Sequence, residues 1–140
     1  MRRLMIESGK VIEVLVVDDD TLMRELLAEW LSEAGYRVRH ADNGETALRT
    51  LRRQHVGLLV TDMDMPDRDG AQILIEAHRI QPNLSVIAIS GRALDDTRNW
   101  AAAMLEFGAA KALAKPFERR ELLAAVEEIT ARDNSGAARP

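Results

Sequence analysis

The chain has 140 residues, a formal net charge of −4 and no cysteine. This length suits one compact domain that needs no disulfide or structural metal, and the absence of cysteine excludes thiol nucleophiles, Cys-ligated zinc and iron–sulfur clusters. The acidic balance argues against general nucleic-acid binding. Because the apolar runs, such as Val14 to Val17, are far too short to cross a bilayer and the N-terminus does not resemble a signal peptide, we expect a cytoplasmic protein.

Strand and helix patterns alternate along the chain. The apolar run from Val11 to Val17 predicts a strand that is buried on both faces. The leucines that recur between Leu22 and Leu31 predict a helix that Thr21 caps and Gly35 ends. The same signals predict later strands at 36–40, 57–61, 84–89 and 110–114, and later helices that end near Arg53, end before Pro82, span about Asp95 to Phe107, and run from about Glu118 through Ile129.

Five strands that alternate with five helices predict an α/β fold, with a parallel sheet covered by helices on both faces. Right-handed crossovers restrict such a sheet to a few doubly wound strand orders. We expect the folded domain to span residues 11–132 after an N-terminal extension at 1–10. Residues 133–140 are rich in Gly, Ala, Ser and Asn and predict a disordered tail.

Polar side chains stand directly after four of the predicted strands. These residues are Asp18-Asp19, Asp62, Ser90 and Lys115. In an open α/β sheet, ligands bind beyond the carboxyl ends of the strands, so we expect all four positions to share one edge. Carboxylates 4 Å apart repel by on the order of 1 to 4 kcal/mol per pair, depending on the local dielectric. A divalent cation offsets that repulsion, and a site with few protein ligands and open water positions favours Mg²⁺ over Ca²⁺.

These segments resemble four motifs of the response-regulator receiver domain of two-component signalling. The resemblance covers residues 11 to about 132 and implies a flavodoxin-like sheet of order 2-1-3-4-5 with a cis Lys115–Pro116 bond. The matching segments are Val16-Val17-Asp18-Asp19, Thr61-Asp62-Met63-Asp64-Met65-Pro66-Asp67-Arg68-Asp69-Gly70, Ile89-Ser90-Gly91 and Lys115-Pro116-Phe117.

The resemblance implies a role for each acidic residue. Asp62 would be the phosphorylated residue, because a carboxylate can attack phosphorus and form an acyl phosphate. Asp19 would bind Mg²⁺ directly and Asp18 largely through water. Asp62 itself and the backbone carbonyl of Asp64 would complete the protein ligands of the metal.

Four further positions carry implied roles around the phosphoryl group. Lys115 would pair with Asp62 and later with a phosphoryl oxygen, and Ser90 would donate its hydroxyl to that group. We expect Arg92 and Asp64, which flank this place, to pair with each other and modulate hydrolysis. Ala112 stands at the switch position, where many receivers have an aromatic residue.

Taken together, the resemblance implies a stand-alone receiver of a phosphorelay, in which Mg²⁺-dependent phosphorylation of Asp62 switches a protein-interaction surface. Such a domain is not an enzyme beyond its own phosphoryl transfer and dephosphorylation. Its expected partners are a histidine kinase or histidine phosphotransfer protein and a downstream protein that contacts the fourth helix, fifth strand and fifth helix. A homodimer is compatible with this expectation, whereas direct contact with nucleic acid or membrane is not expected.

Two alternative functions remain open from the sequence. The first is a receiver-fold binding module that acts without phosphorylation, which Ala112 makes conceivable. The second is a phosphatase of the haloacid-dehalogenase type, because Val60-Thr61-Asp62-Met63-Asp64 resembles the nucleophile motif of that family. Pro66 departs from the motif, and the chain lacks room for a cap domain.

Two segments have simple structural interpretations. The run Asp67-Arg68-Asp69-Gly70 predicts a plain turn rather than a binding site. Trp100 stands beside three alanines in the fourth helix, where core packing is favoured over an interface with a partner.

Overall fold

The computed structural model describes residues 11–92 and 97–138. It contains a parallel sheet of five strands in the order β2-β1-β3-β4-β5, which confirms the predicted topology. The strands are β1 (Glu13–Val17), β2 (Arg37–Ala41), β3 (Leu58–Asp62), β4 (Ser85–Ser90) and β5 (Lys111–Ala114). The helices are α1 (Thr21–Glu33), α2 (Gly44–Arg53), α3 (Gly70–Ile80), α4 (Thr97–Glu106) and α5 (Arg119–Ala138).

The core lies on both faces of the sheet, and alternation along β1 shows how it is divided. Leu15 and Val17 belong to a hydrophobic cluster with residues of α2, α3 and α4. Val14 and Val16 belong to a second cluster with residues of α1 and α5. Successive side chains of a strand point to opposite faces, so a continuous apolar run is what a doubly covered strand requires.

The strand register gathers the predicted polar residues at one edge of the sheet. Asp62 ends β3 and Ser90 ends β4, while Asp18 and Lys115 directly follow β1 and β5. The last paired positions are Val17 with Thr61, Asp62 with Ile89, and Ser90 with Ala114. Because all five strands are parallel, their carboxyl ends meet at this edge.

The glycines at the helix ends agree with the sequence, whereas the N-cap of α1 lies one residue before the predicted one. Gly35, predicted to end α1, and Gly108, which follows α4, have φ angles of 103° and 112°, which favour glycine. The N-cap of α1 is Asp20 and not the predicted Thr21, because Asp20 Oδ1 accepts hydrogen bonds from the backbone N–H groups of Leu22 (3.0 Å) and Met23 (3.4 Å). Both residue types cap helices well.

The last helix is longer than the sequence suggested. α5 continues to Ala138, so residues 133–138 of the predicted disordered tail are helical. Adding residues to an existing helix avoids the cost of nucleation, and the alanines near this end are strong helix formers. The predicted extension at 1–10, the predicted start of α4 at Asp95 and the last two residues of the tail lie outside the described residues. Within the described part of the chain, no helix is long and apolar enough to span a membrane.

Gly70, the first residue of α3, touches the backbone that carries the site. A Cβ built on Gly70 would lie 2.9 Å from both the Cβ and the carbonyl oxygen of Met63, which directly follows Asp62. We predict that Gly70→Ala destabilises the protein by about 1–3 kcal/mol through this overlap, although alanine is normally the better helix former by about 1 kcal/mol. Urea denaturation measures the change.

Gly91→Ala is the matched control, because a Cβ on Gly91 meets nothing closer than 3.7 Å. A Gly70→Ala protein as stable as the wild type would contradict the predicted overlap.

Candidate functional site

Asp62 lies at the centre of the carboxyl edge and is almost fully buried, with 4% of its surface exposed. Its Oδ1 accepts a hydrogen bond from the backbone N–H of Asp64 (3.2 Å) and lies 3.8 Å from Lys115 Nζ. Burial raises the pKa of Asp62 to about 6; Lys115 opposes this rise and Asp18 adds to it. The carboxylate is therefore held where ionisation is costly unless positive charge lies close by.

Asp18 is the second buried carboxylate of this edge. Its Oδ1 accepts a hydrogen bond from the backbone N–H of Asp20 (2.9 Å), and its backbone carbonyl accepts one from Arg24 Nη1 (2.8 Å). Its Oδ2 is buried, accepts no hydrogen bond and lies 3.6 Å from Lys115 Nζ. Burial raises the pKa of Asp18 above its ordinary value. The single ammonium group of Lys115 therefore lies close to two buried acids, Asp18 and Asp62.

Three of the predicted metal ligands come together at this place. Asp18, Asp19 and Asp62 each offer a carboxylate oxygen, and these oxygens lie within 4.8 Å of one another. Asp19 is exposed, which leaves one side of the cluster open to water. The buried Asp18 Oδ2, which accepts no hydrogen bond, and the all-oxygen donor set fit a hard divalent cation such as Mg²⁺. The described residues therefore form an acidic cluster suited to a metal ion.

Lys115 enters the site from the end of β5. Its backbone N–H donates to the carbonyl of Ser90 (2.9 Å), which ties this end of β5 to the end of β4. The Lys115–Pro116 bond is cis, as the resemblance implied. The ammonium group of Lys115 lies 3.6 Å from Asp18 Oδ2 and 3.8 Å from Asp62 Oδ1.

Ser90 is at the expected edge, but its hydroxyl already has a partner. Ser90 Oγ donates to the carboxylate of Asp64, at 3.0 Å from Oδ1 and 2.9 Å from Oδ2. The backbone N–H of Gly91 donates to the same carboxylate (3.0 Å to Oδ2). The Asp64 side chain thus spans from the loop after β3 to the end of β4.

The predicted pair between Asp64 and Arg92 is not formed in the described structure. Asp64 accepts instead from Ser90 and Gly91, as given above, and Arg92 contributes its backbone N–H, which donates to Ser90 Oγ (3.0 Å). The Arg92 residue is exposed. The Ser90 hydroxyl and the Gly91 amide satisfy the Asp64 carboxylate without ordering the long, solvated side chain of Arg92.

The loop after β3 is tied to α2 by two residues that the sequence indicated only as a turn. Asp67 accepts hydrogen bonds from the backbone N–H groups of Gly44 (3.2 Å) and Glu45 (3.3 Å) at the start of α2. Arg68 forms ion pairs with Glu45 (2.6 Å) and Glu76 (3.1 Å). These partners are 8 to 23 residues away in sequence, so no local pattern could have revealed them. The contacts fix the loop that carries Asp64.

Ala112 is half-buried on β5, where it pairs in register with Ala88 of β4. Trp100 of α4 packs against the same hydrophobic cluster as these two alanines. The ring of Trp100 therefore packs against the core on this face, as we expected. The small side chains of Ala88 and Ala112 leave the sheet beneath α4 without a bulky residue at the switch position.

The site and the fold place the chain in a known family. The family model of the response regulator receiver domain matches residues 14–127. The chain belongs to this family, whose members serve two-component signalling and are signalling modules rather than enzymes. The identification as a haloacid-dehalogenase-type phosphatase gains no support from this match.

Individual relatives agree with the family assignment. The chain is 36% identical over 116 residues to the response regulator receiver protein CpdR of Brucella abortus, covering 83% of this chain and 94% of that protein. It is 27% identical, with a TM-score of 0.83, to a CheY-like receiver domain protein from Methanospirillum hungatei, covering 91% and 99% of the two chains. It is 25% identical, with a TM-score of 0.75, to a response regulator from Burkholderia pseudomallei whose crystal structure has a phosphorylated aspartic acid, calcium ion and citrate, covering 91% and 73%.

The buried position of Asp62 predicts an unusual gain in stability from Asp62→Asn. In EDTA at pH 7.5 we expect the variant to be more stable by about 1–3 kcal/mol, because the ionised carboxylate is buried beside Asp18 and its pKa is raised. A raised pKa in the folded state means that this penalty is absent below about pH 4, grows as the pH rises from about 4 to about 6, and stays constant above about 6. Urea denaturation at several pH values therefore should show the difference vanish below about pH 4.

Asp42→Asn is the control, since Asp42 is exposed at the same edge and its substitution should leave stability unchanged. A loss of stability in Asp62→Asn at pH 7.5 would contradict this account of the charge balance.

Proposed function

We propose that this domain accepts a phosphoryl group on Asp62 in a Mg²⁺-dependent reaction and that the modification switches a surface for protein interaction. The observation that carries the proposal is the buried Asp62 carboxylate, 3.8 Å from Lys115 Nζ and clustered with Asp18 and Asp19. The phosphorylated aspartic acid and the calcium ion of the Burkholderia relative support it. Residue roles and metal identity are assigned on this basis.

The transfer itself needs few chemical groups. A carboxylate oxygen of Asp62 attacks the phosphorus of a phosphohistidine or an acyl phosphate, an oxygen–phosphorus bond forms, and the bond from phosphorus to the donor breaks. Lys115 neutralises charge on the phosphoryl oxygens, and Ser90 and the Gly91 amide supply hydrogen-bond donors. The bound Mg²⁺ would supply further charge neutralisation of the phosphoryl oxygens. Phosphoryl transfer depends mainly on such positioning and charge neutralisation.

Asp18, Asp19 and Asp62 are the side chains that would hold Mg²⁺, together with the backbone carbonyl of Asp64. The buried Asp18 Oδ2, which accepts no hydrogen bond, supports this assignment. Lys115 acts with the metal, because both favour the ionised form of Asp62 that the attack requires.

The partners follow from the reaction and from the family. A histidine kinase or histidine phosphotransfer protein would donate the phosphoryl group, and a downstream protein would contact the face formed by α4, β5 and α5. Phosphorylation would bias a two-state arrangement of the end of β4 and of α4. A cytoplasmic location and a homodimer remain predictions.

The proposal predicts one phosphoryl group per chain after incubation with acetyl phosphate and Mg²⁺. Intact mass spectrometry should detect the adduct in the wild type, and EDTA or the Asp62→Asn substitution should abolish it. Asp42→Asn serves as the matched control and should be labelled like the wild type. An unlabelled wild type would favour the binding module that acts without phosphorylation, and turnover of a small phosphomonoester would favour a phosphatase.

The metal assignment predicts that Mg²⁺ raises the melting temperature of the wild type, because a ligand that binds only the folded state stabilises it. Asp19→Asn should need at least about tenfold more Mg²⁺ for the same rise, since loss of one charged ligand removes 1.4 kcal/mol or more of binding energy. Thermal denaturation across a Mg²⁺ titration measures this. Equal Mg²⁺ requirements in Asp19→Asn and the wild type would exclude Asp19 as a ligand.

A further inference from the structure

The Asp64 carboxylate occupies the hydrogen-bond donors at the end of β4. Both of its oxygens are within 3.0 Å of Ser90 Oγ, and Oδ2 also accepts from the Gly91 backbone N–H. The Ser90 side chain is buried, with 1% of the residue exposed. The contact therefore lies inside the edge of the sheet and is not a loose surface interaction.

We propose that Asp64 is an internal substitute for the phosphoryl group. Its carboxylate holds the Ser90 hydroxyl and the Gly91 amide while Asp62 is unmodified, and the phosphoryl group must displace it. This inference rests on the proposed function, which assigns the phosphoryl group to Asp62, and adds a competing residue to it.

The competition follows from the number of protons that the donors carry. A serine hydroxyl has one proton to donate and a backbone amide has one. Neither can serve the Asp64 carboxylate and a phosphoryl oxygen at full strength. A phosphoryl group on Asp62 therefore gains these two bonds only when the Asp64 side chain gives them up.

Charge also opposes binding of the Asp64 carboxylate and a phosphoryl group to the same donors at the same time. A phosphoryl group carries up to about two negative charges, and the Asp64 backbone N–H already donates to Asp62 Oδ1 (3.2 Å). The Asp64 side chain thus starts next to the residue that becomes more negative. Repulsion by the phosphoryl group and loss of the Ser90 and Gly91 donors both move the Asp64 carboxylate away from β4.

Release of Asp64 changes how two parts of the site are connected. In the unmodified state the Asp64 side chain links the loop after β3 to the end of β4, where the connection to α4 begins. Asp67 and Arg68 fix the far part of the same loop to α2 and α3. Release of Asp64 from Ser90 and Gly91 therefore removes the side-chain link between the loop after β3 and the end of β4.

The experiment measures affinity for beryllofluoride, used as the phosphoryl analogue, with saturating Mg²⁺. The Gly91 amide resonance reports binding in the wild type, Asp64→Asn, Asp64→Ala and the control Asp42→Ala. We expect Asp64→Ala to bind beryllofluoride about tenfold more tightly, because competing hydrogen bonds to a charged group are removed. Asp64→Asn should be intermediate, since its amide oxygen still accepts one bond but carries no charge, and Asp42→Ala should match the wild type.

A second measurement distinguishes competition from a general effect of charge. In a Ser90→Ala background, removal of Asp64 should give a smaller gain in affinity than it does in the wild type, because one contested donor is already absent. An equal gain in both backgrounds would show that Asp64 acts only through its charge and would overturn the proposal.

Two other results have separate meanings. If the wild type binds beryllofluoride and both Asp64 variants bind it equally or more weakly, the competition is refuted while the proposed function stands. If no form binds the analogue or is labelled by acetyl phosphate, the proposed function fails, and the competition fails with it. Asp64→Asn keeps the size of the side chain and supplies the test if Asp64→Ala does not fold.

Discussion

Two buried carboxylates that share one ammonium group are the interaction on which this structure depends. Asp18 and Asp62 lie 3.6 and 3.8 Å from Lys115 Nζ, and burial raises the pKa of both acids. Such a group of charges is costly in a protein interior unless each member is paired. One lysine cannot neutralise two carboxylates, and the remaining negative charge suits the site to a bound cation.

The fold holds this arrangement in place from several directions. Apolar strands covered on both faces bring their carboxyl ends to one rigid edge, and the backbone N–H groups of Asp20 and Asp64 partly satisfy the two acids. The loop after β3 is fixed by Asp67 and by the close approach of Gly70 to Met63. The Asp64 side chain joins this loop to the end of β4, so a change in its hydrogen bonds alters how the two sides of the site are connected.

Most of the fold, and the residues that come together in the site, could be predicted from the sequence. Each strand is a short apolar run and each acid follows a strand directly, so periodicity and position alone predict a shared edge. The strand order and the residue roles came from resemblance to a family. The partner of Asp64 and the contacts of Asp67 could not be predicted, because they depend on side-chain directions across 22 to 27 residues. The end of α5 was also missed, because composition alone does not tell where an established helix stops.

The central claim is that Asp62, and no other carboxylate of the cluster, receives the phosphoryl group. Borohydride reduces an aspartyl phosphate to homoserine, so reduction after treatment with acetyl phosphate and Mg²⁺ marks the modified position permanently. Peptide mapping by tandem mass spectrometry should then find homoserine at position 62 and aspartate at positions 18, 19 and 64. Homoserine at any of those three positions, with aspartate intact at 62, would contradict the account.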